Sequence, residues 1–304
     1  MSTVNLSIGE QSLLELYAST NAASGAGLPP EATGEFDQRW GDVATEPGGV
    51  DYVETDAAGV PAMWLRPTGA VADRVLLCLH GGGFVGGSMY SHRRVYAHVA
   101  KRTGVPALVL DYRRLPEHPH PAAAQDTAAA YRWLMAQGFD HSRIAAVGDS
   151  AGGGLALGLA ITVRPSPAAV VGLSPWTDMT LSGASMEANR ATDVLFGGDK
   201  PMDLDGMVEL VLGGPGRDRS DPRVSPLHGD IALLPPTYIQ VSGAEMLLDD
   251  ARRLADAAPT AVQLDVVPDQ QHTFQMAAGR SPVADEAIAR VAAWLRDRLE
   301  VKET

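Results

Sequence analysis

The sequence predicts an α/β protein whose central sheet is mostly parallel and flanked by helices. Two patterns carry this. Short, near-continuous apolar runs of strand length recur at 74–79, 105–111, 144–147, 168–173, 237–241 and 262–267, as strands covered on both faces require. Helix-length segments separate several of them, at 90–103, 122–137 and 151–163, and strand, helix, strand, helix at that spacing implies right-handed crossovers within one sheet. At 304 residues and 45% hydrophobic composition, the chain suffices for one large domain with a full core.

Residues 1–45 hold an amphipathic helix over 8–17, a Gly/Ala/Pro-rich segment over 22–30 and a second helical stretch ending at Trp40, with no catalytic pattern. Residues 50–55 and 62–66 alternate as an edge hairpin around Ala58-Gly59. The run 74–79 ends in His80-Gly81-Gly82-Gly83. Three successive glycines cost backbone entropy, and a tight loop with exposed N–H groups, able to hold an oxyanion, accounts for them better than an ordinary flexible loop. A proline-punctuated loop over 111–121 joins the next strand to helix 122–137. The strand 144–147 then turns into the apolar helix 151–163 through Gly148-Asp149-Ser150-Ala151-Gly152. Strand 168–173 leads to Ser174-Pro175-Trp176-Thr177-Asp178. Residues 180–215, rich in Met, Gly and Leu and without a strand run, read as a helical lid inserted over the site. Strands 237–241 and 262–267 with helices 249–257 and 283–299 complete the chain.

The formal charge of -13 and a pI near 5.0 argue against nucleic acid or an anionic membrane surface as the main partner. The opening MSTVNLSIGEQSLLELY has neither a basic n-region nor a sustained apolar h-region, and the run 151–163 is too short to span a bilayer. A cytoplasmic protein without stable membrane insertion is expected. Cys78, the single cysteine, excludes an intramolecular disulfide or a multi-cysteine metal site and reads as a small buried hydrophobe.

The strand-to-helix turn around Ser150 is where chemistry is expected. Such a turn puts its central residue in a strained conformation, comfortable only between glycines, and lifts the Ser150 hydroxyl to a helix N-terminus that favours developing negative charge. A glycine-rich chain can show G-x-S-x-G by chance; its place between a strand and an apolar helix gives it weight. A serine needs a base, and the base needs a group that orients it. Of eight histidines, His272 lies in the loop after the last strand, at the same carboxyl edge as Ser150. Serine, acid and histidine then follow in the chain order of an α/β-hydrolase. The acid belongs in the loop after 237–241. Glu245 leaves that strand first and is assigned the role; Asp249 is the runner-up, and both Asp249 and Asp250 sit where a helix wants N-terminal carboxylates.

His80-Gly81-Gly82-Gly83, Asp111-Tyr112-Arg113 with Pro116-Glu117-His118-Pro119, Gly148-Asp149-Ser150-Ala151-Gly152-Gly153, Ser174-Pro175-Trp176 and the His272 loop together resemble the bacterial hormone-sensitive-lipase-like carboxylesterases, family IV of the α/β-hydrolase superfamily, over roughly residues 50–300. The resemblance implies an α/β-hydrolase fold with a helical cap, and an oxyanion hole made by the backbone N–H groups of Gly82, Gly83 and Ala151. It also implies that residues 1–45 join 180–215 in the cap, leaving 46–179 and 216–304 as the core. Two departures stand out: Glu245-Met246-Leu247 where the family usually has Asp-Pro-Leu, and Arg114-Leu115 and His120 where Leu-Ala and Phe are usual.

The expected activity is hydrolysis of short- to medium-chain carboxylic esters through an acyl-enzyme on Ser150, with Glu245 and His272 completing the triad and no metal or organic cofactor. Phe84, Trp176, Phe196, Met202 and Phe274 are the expected pocket residues. The partner is a small-molecule ester, and a homodimer is compatible with the sequence. A lactonase or amidase could use the same residues, since the triad sets the reaction and the cap sets the substrate. A ligand-binding protein on this scaffold would be expected to lack the base. Dinucleotide binding fails because Ser150 takes the middle glycine position of G-x-G-x-x-G.

Overall fold

The computed structural model describes residues 6–24, 34–199 and 201–302. Its strands are β1 (Val50–Asp56), β2 (Pro61–Pro67), β3 (Val75–Leu79), β4 (Ala107–Leu110), β5 (Ile144–Asp149), β6 (Ala169–Leu173), β7 (Thr237–Ser242) and β8 (Val262–Val267). They form one eight-stranded sheet in the order β1-β2-β4-β3-β5-β6-β7-β8. β2 runs antiparallel to β1 and β4, and every other pair is parallel. The helices are α1 (Ile8–Ser24), α2 (Gly34–Gly41), α3 (Met89–Thr103), α4 (Ala122–Ala136), α5 (Ala151–Thr162), α6 (Ser185–Ala188), α7 (Leu204–Leu212), α8 (Leu248–Ala257) and α9 (Pro282–Arg298). None of the described helices is long and apolar enough to cross a membrane.

Burial explains the sequence pattern. Strands β3 to β7 are buried along their whole length, so their runs are continuously apolar, whereas β8 at the sheet edge carries exposed Gln263 and Val266. Cys78 is fully buried in β3.

Topology places the site. From β3 the chain steps one way to β4, then returns past β3 to β5 and continues the other way. With right-handed crossovers this reversal puts α3 on one face and α4 and α5 on the other. The carboxyl ends of β3 and β5 are thereby left side by side, with Leu79 in register with Gly148. Such a switch point opens the crevice in which α/β sheets take ligands. Because β3, β5, β6, β7 and β8 are mutually parallel, the loops that follow them all emerge at this edge.

Two segments depart from expectation. α1 starts on a capping box in which Ser7 N donates to Glu10 Oε2 at 2.7 Å and Glu10 N to Ser7 Oγ at 3.3 Å. It then runs to Ser24, well past the amphipathic stretch 8–17. The polar continuation is held by Ser19 and Thr20 hydroxyls donating to Leu16 O and by Asn21 Nδ2 donating to Leu195 O at 2.9 Å, contacts that periodicity does not register. Of the Gly/Ala/Pro-rich segment 22–30, residues 25–30 lie outside the described residues. Among the described residues between 180 and 215 the helical content is α6 and α7.

Candidate active site

Ser150 follows β5 as the N-cap of α5, with φ 51° and ψ -120°, a conformation that costs a side-chain-bearing residue about 1–3 kcal/mol. Its surroundings hold it there: Ser150 N donates to Leu173 O at 2.9 Å, and its carbonyl accepts from Trp176 N at 2.9 Å. The flanking glycines are required by close approach. A Cβ on Gly148 would lie 2.2 Å from Gly152 O, and one on Gly152 would lie 1.9 Å from Leu79 O.

His272 comes to Ser150 from the loop after β8, its Nε2 2.9 Å from Ser150 Oγ. Its Nδ1 lies 2.9 Å from Glu245 Oε1. The carboxylate accepts only, so Nδ1 carries the proton and Nε2 is left as the acceptor facing the serine hydroxyl. Glu245 is fully buried and fully used: its Oε2 accepts from Ser174 Oγ at 2.6 Å and from Ser242 N at 3.0 Å. Asp249 is elsewhere. Its carboxylate accepts from Ser185 N at 2.9 Å and pairs with Arg252, while Asp250 accepts from Thr177 N and Asp178 N at 2.7 and 2.9 Å.

Burial alone would lower the His272 pKa. The Glu245 carboxylate beside it, with Asp193 and Asp149 further off, outweighs that and raises it above the ordinary 6.5. A base that is to take the Ser150 proton must be a neutral imidazole, so if His272 acts as expected from the sequence, kcat/KM for an ester rises with pH through one ionisation above 6.5 and falls as His272 protonates below it. A pH profile with p-nitrophenyl acetate checks this; a half-maximum at or below 6.5 would contradict it.

The glycine loop after β3 is braced from beneath. His80 is buried, stacked on Tyr112 with ring centroids 4.1 Å apart, and burial drives its pKa well down, so the neutral ring donates through Nδ1 to Gly81 O at 2.8 Å. Asp149 Oδ1 accepts from Gly81 N at 3.0 Å and from Tyr96 OH at 2.6 Å. Burial opposes ionisation of Asp149, but His92, Tyr96 and Gly81 outweigh it and hold the carboxyl below the usual range. His92 Nε2 is 3.3 Å from Asp149 Oδ2, without hydrogen-bond alignment. Gly82 has φ +112° and Gly83 φ +62°, which glycine supplies without strain.

Ser150, His272, Gly82 and Gly83 line one cavity of about 470 Å³, with Ala151 the first residue of the helix beneath. Trp176, Phe196 and Met202 are in its wall, joined by Leu16, Tyr17, Thr20 and Trp40 from the first two helices and by Leu195, Met207 and Leu210. Phe84 and Phe274, expected in the wall, are not among the lining residues. Phe84 sits in a left-handed turn whose carbonyl accepts from Leu115 N at 2.9 Å, and Phe274 starts a buried helical turn, Phe274–Ala277.

Three further residues touch the site that the sequence did not single out. Ser174, quoted above only within a motif, bonds Glu245 and accepts from Thr273 N at 3.1 Å. Asp193 is buried, and its carboxylate accepts from Leu195 N, Phe196 N and Met246 N at 3.0, 3.0 and 2.8 Å, tying the inserted segment to the residue after Glu245. The Phe196 ring it positions lies 4.9 Å from the imidazole. Tyr17 meets the His272 loop from α1. A buried acidic or hydroxyl side chain far along the chain leaves no local sequence signal.

A hydroxyl, imidazole and carboxylate in line at the switch point of a mostly parallel sheet is the arrangement of an α/β-hydrolase. A sequence profile described as alpha/beta hydrolase fold matches residues 76–276. The acetyl-hydrolase of Streptomyces hygroscopicus is 39% identical over 266 residues, covering 85% of this chain and 86% of its own. An esterase of Acinetobacter venetianus is 34% identical over 240 residues, covering 73% and 75%. The crystal structure of an esterase from the bacterial hormone-sensitive lipase family superposes with a TM-score of 0.85 at 38% identity, over 98% of this chain and all of that one. The chain belongs to the α/β-hydrolase fold family and, within it, to the bacterial hormone-sensitive-lipase-like esterases; it is a carboxylic ester hydrolase.

Proposed function

We propose that this enzyme hydrolyses short- to medium-chain esters through an acyl-enzyme on Ser150. His272 takes the hydroxyl proton as Ser150 attacks the ester carbonyl, the N–H groups of Gly82, Gly83 and Ala151 hold the oxyanion, and Glu245 steadies the imidazolium. The alcohol leaves with the proton from His272, and water repeats the sequence on the acyl group. The observation that carries the reading is the unbroken line from Ser150 Oγ to Nε2, and from Nδ1 to Glu245, at 2.9 Å each, on the floor of a largely apolar cavity.

The substrate range follows from the walls. A cavity of about 470 Å³ has the size of a small-molecule site, and the described parts of 1–45 and 180–215, through Leu16, Tyr17 and Trp40 on one side and Phe196, Met202 and Met207 on the other, act as the cap that bounds it. A relative named acetyl-hydrolase supports a short acyl group. The test is a p-nitrophenyl ester series from acetyl to palmitoyl, run beside a lactone and an anilide. A maximum between acetyl and octanoyl is expected; a maximum at palmitoyl, or turnover of the lactone or anilide without the esters, would overturn the assignment. Phe196 packs against His272 inside the wall, so Phe196→Ala is expected to shift the ratio of long- to short-chain kcat/KM upward by about tenfold. An unchanged ratio would remove Phe196 from chain-length selection.

A further inference from the structure

We infer that Tyr17, on the helix at the far end of the chain, is a positioning residue for His272, through the bond its hydroxyl makes to the backbone of the histidine loop. The inference rests on His272 being the base. Tyr17 OH donates to His272 O at 2.8 Å and contacts Thr273 Oγ1. A phenol has one proton; with that proton on the carbonyl, the threonine hydroxyl is the donor to the phenol oxygen. Burial drives the Tyr17 pKa far above its ordinary value, so the donor is present at any working pH.

The loop needs such a clamp. Thr273 has φ 46° and ψ 40°, the left-handed region that a β-branched residue rarely adopts. Its N–H donates to Ser174 Oγ at 3.1 Å and its carbonyl accepts from Met276 N at 2.9 Å. The peptide between His272 and Thr273 is thus held at both of its polar groups, its N–H by Ser174 and its carbonyl by Tyr17, and the Tyr17 bond is the one that acts on the carbonyl of the histidine itself. The imidazole must keep two bonds in line, and catalytic geometry tolerates only about 0.5 Å or 10–20° of drift. α1 is a firm mount for the clamp. Gly9 N donates to Arg280 O at 3.3 Å near its start, and Asn21 Nδ2 donates to Leu195 O and Gly197 O at 2.9 and 3.2 Å near its end.

Tyr17→Phe keeps the ring in the cavity wall and deletes only the hydroxyl. Steady-state kinetics with p-nitrophenyl acetate, below the melting range of each variant, is expected to show kcat down about tenfold or more with KM within about twofold. Phosphorylation of Ser150 by diethyl p-nitrophenyl phosphate, which needs the same base but no acyl pocket, is expected to slow by the same factor. A purely structural tyrosine would lower Tm and leave kcat alone. Unchanged kcat, or a raised KM with kcat intact, overturns the inference. If Tyr17→Phe does not fold, p-fluorophenylalanine incorporated at position 17, which keeps the bulk of the para substituent but has no proton to give His272 O, decides on the same criterion. Ser150→Ala is run in parallel: its retaining turnover would sink the triad itself, whereas an inactive Ser150→Ala beside a fully active Tyr17→Phe would sink only the role of Tyr17.

Discussion

Ser150→Ala is expected to lower kcat/KM for p-nitrophenyl acetate by about 10⁴-fold or more while the protein stays folded. The serine is the end of the hydrogen-bonded line, its Oγ 2.9 Å from His272 Nε2. Its backbone makes a second variant informative. At φ 51° and ψ -120° any residue with a Cβ is strained, so alanine keeps the strain and glycine relieves it. Ser150→Gly is therefore expected to be as inactive as Ser150→Ala and more stable by about 1 kcal/mol, net of the extra freedom glycine has when unfolded. Equal Tm values for the two variants would show that the turn stores no strain.

Glu245→Gln is expected to lower kcat by about 10³- to 10⁴-fold at nearly unchanged KM. The size follows from the acceptor count. Both Glu245 oxygens accept: Oε1 from His272, Oε2 from Ser174 Oγ and Ser242 N. Glutamine has one oxygen, and the two donors at the Oε2 position claim it. The amide then turns its NH₂ toward Nδ1, which must lose its proton, and the proton moves to Nε2, where it blocks acceptance from Ser150. The charge that raises the His272 pKa is also gone, so the acid limb of whatever activity remains moves to lower pH. Asp249→Asn, at a carboxylate spent on Ser185 and Arg252, is expected to keep kcat within about twofold. The reverse pattern would transfer the orienting role to Asp249.

What could be read from the sequence, and what could not, divides by the range of the interaction. G-x-S-x-G, the glycine loop and the apolar strand runs announce themselves because backbone conformation and burial act on the residues that carry them. Glu245 and His272 were reachable because loops at the carboxyl ends of parallel strands share an edge. Tyr17, Ser174 and Asp193 escaped because their meaning lies in partners elsewhere in the chain: Tyr17 is 255 residues from the histidine it touches. The same limit explains the pocket. Trp176, Phe196 and Met202 line it, whereas Phe84 and Phe274, adjacent to site residues in sequence, do not. Proximity to a motif does not say which way a side chain points.

The most direct test of the account is capture of the covalent intermediate. Quenching p-nitrophenyl butyrate turnover in acid within the burst, followed by peptide mass mapping, is predicted to find one butyryl group on Ser150, absent from Ser150→Ala. Turnover by the wild type with no acylated peptide, or with the acyl group on another residue, would contradict a Ser150 acyl-enzyme.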